Sequence, residues 1–293
     1  MIRRASLTLT LLACLLAGGS SPAPAQFRTH YTNLPSVGAG RRAVQRAQAG
    51  RGRAPAQQRG PAGVYPEFRS AHGVIHWLKE QMPLKVWVSD GLAIDAILDP
   101  QLGAPYANTK DVAKWPDLVA HILDHPEKLQ ALPVAEGYSP QHKQAALAGI
   151  NSWKPIEKEG YFSYVLTDDP MEADIHLFWV NHFVDQRGMA LFQNDIRGYT
   201  SKRSFPYKMI MQGRQMPFKP VVIILSTTDR QGQLSVAKMK AAAAHEFGHA
   251  LGIEGHSSNP ADLMSIYYGN GSISPNDAAT VRYLYKLTPD LVP

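Results

Sequence analysis

Residues 245–256 read His-Glu-Phe-Gly-His-Ala-Leu-Gly-Ile-Glu-Gly-His, and their types and spacing suit a metal ion that activates water. On a helix, positions four apart lie on one face, so His245 and His249 can aim both imidazoles at one point. Glu246 sits beside the first ligand, placed to reach a water at the metal without binding the metal itself. Gly252 can take a positive φ and end the helix in a left-handed turn. That turn would swing His256 back as a third ligand. Three neutral imidazoles and a water make the open tetrahedral arrangement of a catalytic rather than a structural zinc ion. A bare His-Glu-x-x-His recurs by accident. The added glycine and third histidine at fixed offsets make the pattern specific.

Downstream, residues 261–265 (Ala-Asp-Leu-Met-Ser) lie at a distance that suits a turn passing beneath the metal, with Met264 as an apolar floor behind the imidazoles. Alone, such a methionine would read as a core gap-filler. Other histidines carry less. His121 and His125 are four apart, but Pro126 follows at once and no third ligand is evident, so they read as a surface pair. His176, His182 and Asp185 are near enough in sequence to share a second ion, yet surface residues on a strand and loop is the simpler reading.

The elements that must position the motif can be read around it. Ser235 is a suitable cap for the metal-binding helix, and the alanines at 241–244 favour helix while letting neighbours pack closely. Ser139-Pro140 opens an earlier helix whose Leu147, Ile150 and Trp153 mark a buried side. Ser274-Pro275 opens a final helix with the apolar stripe Val281, Leu284 and Tyr285. Strands are predicted over residues 83–88 (alternating, hence half-buried), 162–167, 174–180 and 221–227. The last is apolar throughout, as a central strand covered on both faces would be. Residues 91–138 read as an irregular insertion with one short helix over about 115–132.

The extended histidine motif followed by a methionine turn resembles the metzincin clan of zinc metallopeptidases. Ser257, immediately after the third histidine, resembles the choice made by the matrixins within that clan. Residues 274–285 are similar to the closing helix of matrixin catalytic domains. Residues 173–179 (Ala-Asp-Ile-His-Leu-Phe-Trp) resemble a matrixin strand, and Trp153 sits where the first long helix of that family ends. The resemblance covers most of residues 80–290. It implies an α+β fold: a twisted mixed β-sheet with two long helices in an N-terminal subdomain, and a small, mostly irregular C-terminal subdomain ending in a helix. It also implies one catalytic zinc at His245, His249 and His256, Glu246 as general base, and a protein or peptide substrate. By the same resemblance the substrate would lie along an edge strand at residues 188–193, and residues 265–268 would wall the pocket for the side chain after the cut.

The sequence also departs from the family. The glycine- and aspartate-rich loop that holds structural zinc and calcium has no counterpart between Val180 and Gly198, so a calcium ion or second zinc is without support. A zinc-facing tyrosine two residues after the methionine, a feature of other metzincins, is replaced by Ile266. Cys14 is the single cysteine, which leaves no thiol for a propeptide switch outside the leader.

That leader is Met1-Ile2-Arg3-Arg4, an apolar stretch to Gly18, and Ala23-Pro24-Ala25, the layout of a secretory signal peptide cleaved after residue 25 and too short for a membrane span. Lipid attachment at Cys14 is the lesser alternative. Residues 26–62 form a basic linker rich in Arg, Ala, Gln, Gly and Pro, of disordered composition. The formal charge of +6 arises there and in the leader: residues 1–62 hold nine Arg and no acidic residue, leaving 21 Lys+Arg against 24 Asp+Glu for residues 63–293. The linker could touch anionic surfaces, but no aromatic residues interleave the arginines as specific nucleic-acid binding would need. The sequence thus predicts a secreted or periplasmic zinc endopeptidase over residues 63–293. The rival prediction is an inactive relative that binds peptides or surfaces through the same cleft.

Overall fold

The computed structural model describes residues 61–98, 114–184 and 196–293. The leader, nearly all of the linker, Asp185 and the expected substrate strand at 188–193 lie outside the described residues. Among the described residues no helix is long and apolar enough to cross a membrane.

A five-stranded sheet organises the fold. Its strands are β1 (Leu84–Ala93), β2 (Tyr164–Leu166), β3 (Ile175–Val180), β4 (Gly198–Ser201) and β5 (Val221–Ser226), in the spatial order β2-β1-β3-β5-β4. All neighbours are parallel except β4, which runs antiparallel to β5 with Thr200 opposite Ile223. A parallel centre must be covered on both faces, and every residue of β3 and β5 is buried accordingly.

The alternation of side chains along these strands defines two layers. Ile175, Leu177, Trp179, Val221, Ile223 and Leu225 face the two long helices, α3 (Pro140–Asn151) and α4 (Val236–Ala250). Phe178, Val180, Val222 and Ile224 face the opposite way, onto α1 (Trp115–Leu123) and Leu129 of α2 (Pro126–Gln130). The chain beyond Gly252 is mostly turns up to α5 (Pro275–Leu284), and after it Leu291–Val292 pairs antiparallel with Phe205–Pro206.

Four expectations are corrected. The strand predicted at 83–88 is not half-buried: Trp87 and Val88 are both buried, on opposite faces, and the strand continues to Ala93. The insertion is therefore no irregular appendage, because its α1 supplies the outer cover for the sheet. Nor is it one helix to residue 132. Pro126 has no N–H to donate, and the preceding His125 is forced to φ −135°, ψ 73°, so the helix breaks and restarts. His176 is completely buried beside Trp87, Phe178 and the Pro170 carbonyl, where solvent exposure was expected.

Caps follow the sequence. The Ser235 hydroxyl accepts from Lys238 N–H at 3.4 Å to start α4, and Ser274 and Asp277 form a reciprocal capping box at α5. Ser139 holds the cap position of α3 without a side-chain cap bond.

Candidate metal centre

α4 delivers the first two histidines on one face. The His245 and His249 Nε2 atoms lie 3.1 Å apart, and His256 Nε2 is 3.4 Å from that of His249. A tetrahedral zinc with bonds of 2.0–2.1 Å needs nitrogens roughly 3.3 Å apart, so the three fit a single ion. Among the described residues they are the one group of His, Cys, Asp or Glu side chains close enough to share a metal.

Backbone carbonyls set the orientation of two rings. His245 Nδ1 donates to Leu263 O at 2.7 Å and His249 Nδ1 to Ile253 O at 2.5 Å. A carbonyl can only accept, so these Nδ1 atoms carry the protons and the Nε2 lone pairs point at the shared centre. Burial lowers the His245 imidazole to about 3, partly opposed by the Leu263 carbonyl, and holds His249 and His256 below their ordinary value as well. Neutral imidazoles are the form that binds a metal.

His256 arrives by the predicted turn. Gly252 has φ +117°, and a Cβ there would stand 2.2 Å from the Ile75 carbonyl oxygen. The N-terminal segment packs against this turn, with Glu254 N–H donating to Phe68 O at 3.0 Å and Trp77 Nε1 donating to Ala250 O at 2.8 Å. Lys202 closes it from the other side, its ammonium 2.6 Å from His249 O and 2.5 Å from Glu254 Oε1.

Met264 is fully buried beneath α4. A Cβ on Gly248 would come within 2.5 Å of its sulfur. Ser257 N–H donates to Met264 O at 2.8 Å, so the turn is pinned to the residue that follows the third histidine. Two buried carboxylates hold it further. Asp277 accepts from Leu263 N–H at 2.9 Å and Met264 N–H at 3.2 Å, and Asp262 accepts from the Ser257 hydroxyl at 2.6 Å.

Glu246 is 3% exposed and lies against β4, where the Thr200 hydroxyl donates to Oε2 at 2.8 Å. Burial pushes its carboxyl up to about 8, with the Thr200 hydrogen bond and the Lys202 charge pulling the other way. Of residues 265–268, Ile266 and Tyr267 are exposed, while the Tyr268 ring is buried 4.6 Å from that of His245. Arg197 lies over the other reach of the Tyr268 ring at 5.3 Å.

The remaining predicted residues lie elsewhere. His176 Nε2 donates to Pro170 O, 2.7 Å away, and the ring packs beside Trp87 and Phe178 on the outer face of the sheet. His121 and His125 face each other at 4.8 Å on the far layer, with the Lys128 ammonium 3.1 Å from His121 Nε2.

Sequence reasoning missed Thr200, Lys202, Asp262 and Asp277 as parts of this site. For Asp277 a signal existed: Ser274-x-x-Asp277 is a capping-box pattern, and a carboxylate has lone pairs beyond those the cap uses. The other three carry no local pattern, because each acts across more than 45 residues or inside a turn.

The sequence model of the matrixin family matches residues 159–286, a span from just before β2 to just beyond α5 that holds all three histidines, Glu246 and Met264. Residues 159–286 form a matrixin domain. Over 54 residues, 17% of the chain, the sequence is 44% identical to the 72 kDa type IV collagenase of Gallus gallus. The chain spans 8% of the length of that relative. Matrixins are zinc-dependent metallopeptidases, and the matrixin domain here keeps a donor set suited to zinc. β1 and α3, which pack on the matrixin domain, precede the matched span.

Proposed function

We propose that this protein is a secreted zinc-dependent endopeptidase that cleaves protein or peptide substrates, with Glu246 as general base. The observation that carries the proposal is the convergence of three Nε2 atoms, 3.1 and 3.4 Å apart along the set, with the buried Glu246 next in sequence to the first of them.

Zinc bound to His245, His249 and His256 would supply a Lewis acid that polarises the scissile carbonyl and acidifies a water molecule. Glu246, buried and raised in basicity, would accept a proton from the attacking water and hand it to the leaving amine. Met264 and the layer beneath it exclude solvent behind the imidazoles. Among the described residues β4 is the last strand of the sheet, so an extended substrate would pair along it by strand addition. Tyr268 and the exposed Ile266 and Tyr267 would flank the side chain that follows the cut. The secretory leader supports export.

Metal analysis of the purified chain should find one zinc, and casein or gelatin zymography should show cleavage abolished by a zinc chelator. Glu246→Gln should keep the zinc and lose cleavage by at least ~100-fold, the low end for a general base. A Glu246→Gln protein that cleaves at the parental rate would rule out the assigned base. His249→Ala retaining one zinc would rule out the ligand set.

A further inference from the structure

Residues of β4 alternate between the two layers. Tyr199 faces outward, its ring 6.2 Å from that of Trp115, while Gly198 and Thr200, two apart, face α4. Each meets one oxygen of Glu246. A Cβ on Gly198 would stand 2.8 Å from Oε1 and 2.5 Å from Cγ. The Thr200 hydroxyl is 2.8 Å from Oε2 and 2.9 Å from the Glu246 backbone oxygen. No other described side chain donates a hydrogen bond to this carboxylate.

We propose that Thr200 is the positioning residue for the base, anchoring Oε2 so that Oε1, facing the space left by Gly198, exchanges the proton. The inference rests on Glu246 being the base.

A carboxylate turns about its last bond with little resistance, since such torsions are broad. A base that must take a proton from one position and deliver it to another gains from being fixed. The Thr200 hydroxyl has a single hydrogen, and Oε2 remains an acceptor whether or not Oε1 carries a proton. One hydrogen bond therefore serves both protonation states: Oε1–H forms as the O–H of the attacking water breaks, and it breaks again as the N–H of the leaving amine forms and the scissile C–N bond parts. The Glu246 carbonyl, 2.9 Å from the same Oγ1, shares that one hydrogen with Oε2 in a three-centre bond, which holds Oγ1 between the carboxylate and the helix backbone. Register in turn comes from the sheet: Thr200 stands opposite Ile223 and Gly198 opposite Leu225, both fully buried.

The test compares Thr200→Val, Thr200→Ser and Gly198→Ala in the full chain, using a quenched peptide substrate and metal analysis. Thr200→Val should lower kcat roughly 10–100-fold, the usual loss when a supporting hydrogen bond is removed, with KM within about two-fold and one zinc retained. Thr200→Ser should return kcat to within about three-fold of the parent, because the donor is restored. Gly198→Ala should reproduce the kcat loss with zinc retained, and it decides the matter should the valine variant not fold. A Thr200→Val kcat within two-fold of the parent would overturn the proposal, as would a serine variant no better than valine. Loss of zinc together with activity would also overturn it, by making the residue a structural support. Glu246→Gln runs beside them: if that variant keeps the parental rate, the base assignment has failed rather than the role of Thr200.

Discussion

Asp277 offers a demanding test of how the metal centre is held. It is wholly buried, and its two oxygens accept from four groups. Oδ2 takes Leu263 N–H at 2.9 Å and Ser274 N–H at 2.8 Å, while Oδ1 takes Met264 N–H at 3.2 Å and the Tyr65 hydroxyl at 3.4 Å. Asparagine keeps one accepting oxygen. The lower-energy flip retains the two short bonds and turns its NH2 toward Met264 N–H, leaving one buried backbone donor without a partner. An unpaired buried donor costs about 1–3 kcal/mol, so Asp277→Asn should cost about 2 kcal/mol. Alanine keeps no acceptor and leaves three backbone donors unpaired, of which turn relaxation recovers some; about 4–5 kcal/mol is expected.

Urea unfolding followed by tryptophan fluorescence would read this. With a slope near 2 kcal/mol per molar, the midpoint should fall by about 1 M for asparagine and about 2 M for alanine. Zinc should weaken in the same order, because the Leu263 carbonyl that orients His245 belongs to the turn being released. Loosening such outer support costs roughly 10–100-fold in metal affinity. Asparagine and alanine variants with equal midpoints, or both within ~0.3 M of the parent, would refute the reasoning, since the graded loss follows only if the carboxylate holds the turn.

Two further outcomes follow from the fold. Burial lowers His176 from its ordinary 6.5 to about 4, so the unfolded chain takes up a proton that the folded chain refuses; stability should fall as pH drops through that window. The loss amounts to about 3 kcal/mol at ~1.4 kcal/mol per pH unit, and His176→Phe should flatten the urea-midpoint profile between pH 6.5 and 4; an unchanged acid limb would count against it. Gly252→Ala places a Cβ 2.2 Å from Ile75 O at φ +117°. It should lower Tm by roughly 5–10 °C and release zinc, and a variant with parental Tm and full zinc would contradict the role of that turn.

The zinc motif was legible because a helix converts sequence spacing directly into side-chain geometry. His245 and His249 needed nothing but the helical repeat, and Gly252 announced its own turn. Strands β3 and β5 were legible for a similar reason, since a strand covered on both faces must be apolar at nearly every position. The outer layer was not. Nothing within residues 174–180 indicates that His176 is sealed from water, because its partners outside its own strand are Trp87 of β1 and the Pro170 carbonyl. The half-buried reading of β1 failed because Trp87 packs with α1, which lies behind an ambiguous stretch.

The supports of the site were illegible for a further reason. Thr200 and Gly198 are ordinary residues on an ordinary strand, and their meaning appears only when β4 is laid antiparallel to β5 beside α4. A period of two then turns Gly198 and Thr200 together onto Glu246 and turns Tyr199 away. A slip of one residue in that register would place Tyr199 against the carboxylate and carry the hydroxyl to the outer layer. The chemistry of the base therefore depends on strand register as much as on the helix that bears it. That register is enforced by the burial of Ile223 and Leu225 on the helix-facing side and of Val222 and Ile224 on the other.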